Sequence, residues 1–72
     1  MMELLVVKAG NEYFRFKNGE GTLCPMEKAS VFDMHRLPEI RQLHGNLLKR
    51  GIAASIVKLT INEEPFGEGV ER

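Results

Sequence analysis

Seventy-two residues make one domain, near the lower limit at which an apolar core sustains a fold unaided, so extra burial by self-association is expected. Hydrophobic residues at 43% and charged residues at 28% exclude a disordered or membrane-embedded composition. Ten basic and ten acidic residues cancel, which excludes a global attraction to nucleic acid or to an anionic membrane and leaves only local patches to consider.

The first predicted strand is Glu3 to Ala9. Leu5, Val7 and Ala9 lie on one parity and Leu4 and Val6 on the other, the pattern of a central strand covered on both faces. No basic segment followed by a long apolar stretch opens the chain, and the run Leu4 to Val7 is far too short to span a bilayer, so neither a leader nor a membrane contact is expected. After a turn at Gly10-Asn11 comes a second strand, Glu12 to Lys17, with Phe14 and Phe16 on one side and Tyr13, Arg15 and Lys17 on the other. Asn18-Gly19 is the strongest local signal, because both residues of a two-residue hairpin loop must accept positive φ. The register follows: Lys17 faces Glu20, Arg15 faces Thr22 and Phe14 faces Leu23. The third strand runs from Glu20 to about Cys24, where Pro25 ends the pairing, and Lys28 to Phe32 is expected to resume it as an edge segment.

Asp33 to Arg36 connects to a helix over Leu37 to Arg50. Pro38 and Glu39 suit its first turn, Lys49 and Arg50 its last, and Gly51 its stop. Leu37, Ile40, Leu43, Leu47 and Leu48 form its apolar arc. Ala54 to Asn62 is a further strand, with Val57, Leu59 and Ile61 assigned to the helix-covered face and Ile56, Lys58 and Thr60 to the other. The expected architecture is α+β: a four-stranded mixed sheet of β-β-β-α-β order, strand order 3-2-1-4, last strand parallel to the first, one helix packed on one face. Residues 1–62 form the domain, and 63–72, with Pro65, two glycines and four acids, form an acidic tail.

The segment Lys28-Ala29-Ser30-Val31-Phe32, the helix to Leu48, and Gly51-Ile52-Ala53-Ala54-Ser55-Ile56-Val57-Lys58 resemble a pattern in small bacterial and phage domains of unknown function. The resemblance covers about two thirds of the chain. It implies the same element order and carries over no catalytic residue.

Three chemistries compete. Leu4, Val6, Tyr13 and Ile56, with charge at the periphery, make a candidate protein interface on the sheet face away from the helix. Lys8, Tyr13, Arg15, Lys17 and Lys58 make a candidate nucleic-acid face, where one aromatic would stack a base and the cations would hold phosphates. Cys24 and His44 could form a thiol–imidazole pair or a ligand site, although Cys24 beside proline reads more simply as a small structural residue. His44, within the apolar arc, reads more simply as a packed, hydrogen-bonded imidazole. The lone cysteine cannot form an internal disulfide and suits a reducing cytoplasm. No metal-ligand spacing, P-loop or dinucleotide fingerprint occurs, so no metal or cofactor is expected. The sequence therefore favours a small, self-associating, non-catalytic binding or protein-interaction module, whose partner is a protein, a second copy in a homodimer included. Nucleic-acid binding is the first alternative, and a small enzyme or ligand-binding protein around Cys24 and His44 the second.

Overall fold

A computed structural model describes residues 1–67. Five strands, β1 (Met2–Ala9), β2 (Glu12–Lys17), β3 (Glu20–Cys24), β4 (Phe32–Asp33) and β5 (Ser55–Ile61), form one sheet with a single α-helix, α1 (Leu37–Lys49). β3 pairs with β2 and β2 with β1, while β4 shares that edge of β1 and β5 takes the opposite edge. The α+β class and the neighbour order agree with the sequence reading. The mixed sheet does not: every pairing is antiparallel, and the strands number five.

The reason is β4. Chain 25–33 does not resume the third strand. Met26–Lys28 form a 3-10 turn, and Ser30 then bonds to β2 beyond its two pairs with β1, Lys8–Tyr13 and Ala9–Glu12. Its N–H donates to the Phe14 carbonyl (3.0 Å), and its hydroxyl accepts the Phe16 N–H at 2.8 Å. Phe32 and Asp33 next pair with Leu5 and Leu4, which adds one reversal of direction. The helix therefore links β4 to β5, two strands that run the same way on either side of β1. β5 is antiparallel to β1 over seven consecutive pairs, from Met2–Ile61 to Lys8–Ser55.

That register corrects the facing of β5. Direct partners share a face, so Ile56 lies with Val7 under the helix, whereas Val57, Leu59 and Ile61 lie with Val6, Leu4 and Met2 on the far face. The sequence reading placed the more apolar parity of β5 beneath the helix. The helix covers only the Ala54–Ile56 end of β5, so that face needs few apolar residues. The charges agree with this register: Lys58 Nζ stands 3.5 Å from Glu3 Oε2 on the shared helix-side parity.

Leu5, Val7, Phe14, Phe32, Ile40 and Leu47 form the core, flanked by Phe16, Leu37, Leu43, Ile52, Ala54 and Ile56. Ile40 and Leu47 are seven residues apart, nearly two helical turns, so they lie on one line of α1 and are buried. Leu48, about 100° further round, departs from the expected arc and is 50% exposed. The helix ends in a Schellman motif: Ile52 N–H donates to Leu47 O, Gly51 N–H donates to Leu48 O, and Gly51 takes φ +81°. At its start, the Arg36 guanidinium donates to both carboxylate oxygens of Glu39 and lies 4.5 Å from the Phe32 ring centroid, closing that side of the core. Those hydrogen bonds hold the Glu39 carboxyl below its ordinary range and raise Arg36. Since the Glu39 value is depressed in the fold, the pair's stabilising effect is present above the unfolded carboxylate value and is lost as pH falls through the folded one.

The hairpin has the expected register, with Phe14 opposite Leu23 and Lys17 opposite Glu20. Asn18 and Gly19 take φ of 54° and 81°, the signature of a type I′ loop. Gly19→Val should lower stability by about 1–2 kcal/mol, because a β-branched residue resists the left-handed region. An unchanged urea midpoint would show that the loop tolerates it by changing turn type.

Candidate protein interface

The antiparallel registers assemble the sheet face opposite α1 residue by residue. β1 contributes Met2, Leu4, Val6 and Lys8, and β5 contributes Ile61, Leu59, Val57 and Ser55 as their direct partners. Across the other edge, Tyr13 faces Lys8, and Cys24 faces Tyr13. Arg15 and Lys17 follow on β2 at the same parity, opposite Thr22 and Glu20.

The face is thus divided. On β1 and β5 three apolar pairs stand in a row: Val6–Val57, Leu4–Leu59 and Met2–Ile61. Exposure rises along that row. Val6 has no exposed surface, Leu4, Val57 and Leu59 are half-buried, and Ile61 and Met2 are 43% and 57% exposed. No element of the described residues packs over Met2 and Ile61, which border a shallow depression with Met1, Asn62 and Glu63. The β2–β3 half is polar and basic.

Of the four interface residues expected from sequence, Leu4 and Tyr13 lie on this face, half-buried. Val6 is on it but wholly covered, so it is no contact surface, and Ile56 is on the opposite face against the core. Leu59, Ile61 and Met2 replace them. The available sequence signal was the opposite charge of Glu3 and Lys58, which can meet only if odd positions of β1 share a face with even positions of β5.

The expected basic face also loses a member. Lys58 is on the helix side and ion-paired with Glu3, leaving Lys8, Arg15 and Lys17 beside Tyr13. Lys8 Nζ lies 5.3 Å from the Tyr13 ring centroid, so the one aromatic of this face already carries a cation from its own chain.

Cys24 and His44 are not brought together as a reactive pair. Cys24 is buried at the far-face parity of β3. His44, on the helix, has its Nε2 2.7 Å from the Ala54 carbonyl oxygen, so that nitrogen carries the proton and donates. This bond ties α1 to the chain entering β5, the packed-imidazole role. Among the described residues no group of three or more His, Cys, Asp or Glu side chains is placed to hold a metal, and no helix is long and apolar enough to cross a membrane.

No family model, no curated protein and no solved structure matches this chain.

Proposed function

We propose that the protein is a small, non-catalytic protein-interaction module that self-associates through the apolar half of its far sheet face. The exposed end of the Leu4–Leu59 and Met2–Ile61 row supports this reading: two large apolar side chains half open to solvent, in a chain whose core holds few residues. The polar β2–β3 half provides the charged periphery that a protein interface needs. A nucleic-acid role is less well supported, because Lys58 is on the other face and Lys8 covers the Tyr13 ring. Partners are therefore sought first among proteins, a second copy included, in a cytoplasmic setting.

Sedimentation over a wide concentration range should show mass rising with concentration. In the same preparation, single-stranded RNA at low salt should not bind. A monomer at the highest concentrations would overturn self-association. Salt-sensitive RNA binding that disappears in Arg15→Glu would transfer the function to the basic half.

A further inference from the structure

We propose that two copies join by antiparallel pairing of their β5 strands across a twofold axis at Leu59, which merges two sheets into one continuous sheet. This inference rests on the self-association reading above and assigns its surface and register.

Three observations carry it. First, among the described residues β5 pairs with β1 only, so its outer edge presents backbone donors and acceptors along its seven residues. Such an edge is a template onto which another strand can add. Second, the edge carries neither proline nor a bulge, and its one charge is Lys58: Ser55–Ile61 pairs with β1 without interruption. The other terminal strands are shorter: β3 contains Gly21 and stops at Pro25, and β4 has two residues. Third, the side-chain pattern selects a second copy and one register. With the axis at Leu59, Leu59 meets itself and Val57 meets Ile61 of the second copy, so each far-face pair from Val57 to Ile61 is apolar and the two exposed rows fuse. On the helix side, Lys58 meets the neutral Thr60. With the axis one residue earlier, Lys58 would face Lys58, a like-charge pair directly opposed. With the axis at Val57, Ser55 would face Leu59 and Ile61 would be left unpaired.

Thr60 gives the test its sign. It is exposed and sits opposite Glu3 within its own sheet. Thr60→Glu therefore adds repulsion inside the monomer and, in the proposed dimer, two attractions to Lys58 across the seam. Thr60→Lys does the reverse. The dissociation constant from sedimentation should fall about three- to tenfold for Thr60→Glu and rise by a similar factor for Thr60→Lys, opposite in sign to their effects on monomer stability. In a Cys24→Ser background, Leu59→Cys should oxidise to a covalent dimer, whereas Lys58→Cys, two residues out of line with its counterpart, should not. If the wild-type chain dimerises while both Thr60 variants match it and Leu59→Cys stays monomeric, the register and edge are wrong and the self-association reading stands. If Lys58→Cys cross-links in preference, the axis is wrong. If the wild-type chain is monomeric throughout, both inferences fail together.

Discussion

Ile40→Ala and Leu47→Ala should each destabilise the protein by about 2–5 kcal/mol. Ile40 has no exposed surface and Leu47 only 3%, and both press on the face formed by Leu5, Val7, Phe14 and Phe32. Truncating either removes apolar contact and leaves a cavity that a rigid sheet cannot close. Small domains have total stabilities near the low end of about 5–15 kcal/mol, so one such change could leave a large unfolded fraction. Leu48→Ala is the internal control. At 50% exposure it should cost no more than about 0.5 kcal/mol, although it is the neighbour of Leu47 in sequence. Urea unfolding of the three variants measures this. Equal losses for Leu47→Ala and Leu48→Ala would mean that α1 is rotated from the described orientation.

Gly21→Val should cost about 1–3 kcal/mol by overpacking. Gly21 faces Phe16 across the hairpin, and a Cβ built there would come within 2.9 Å of the Phe16 ring and 3.0 Å of the Phe14 ring. The two rings are stacked at 5.9 Å between centroids, and Phe16 meets Phe32 edge-on at 6.3 Å, so a displaced Phe16 disturbs the aromatic side of the core rather than a surface loop. The glycine gives the Phe16 ring room to lie flat on the strand, as aromatic residues do when they cover a glycine across a sheet. Thr22→Val, one residue on and exposed at the other parity, should be tolerated. Because the nearest clash is with the Phe16 ring, Phe16→Ala and Gly21→Val should be sub-additive when combined. Full additivity would show that the penalty arises elsewhere.

How far the sequence reaches depends on the span of each interaction. The hairpin was legible because a two-residue loop sets the partners of Tyr13 through Lys17 by itself. The helix was legible because Pro38, Glu39 and Gly51 mark its ends locally and Ile40 and Leu47 mark its inner line. β4 was not, since two residues carry no periodicity. What places Phe32 and Asp33 is the bonding of Ser30 to β2 and the pairing of β4 with β1, both between segments distant in sequence. The facing of β5 was ambiguous because Ile56, Val57, Leu59 and Ile61 occupy both parities, and only pairing with β1 resolves them. The site inherited that ambiguity. Tyr13, Lys8 and Leu4 were placed on the proper face from local strand parity, whereas Ile56 and Lys58 depended on the long-range register and fell on the wrong one.

The pairing of Met2 with Ile61 has a kinetic consequence. The hairpin and helix close short loops, so they can form early at small entropic cost. The β1–β5 ladder joins the two ends of the domain and is worth nothing until nearly the whole chain has been gathered. It is therefore the natural late step. Until it closes, β1 offers a vacant edge and β5 is a free segment of matching pattern, on the same molecule or on a neighbour. At high concentration, refolding would then exchange β5 between molecules, and the order of zipping would decide whether a chain completes its own sheet or another's.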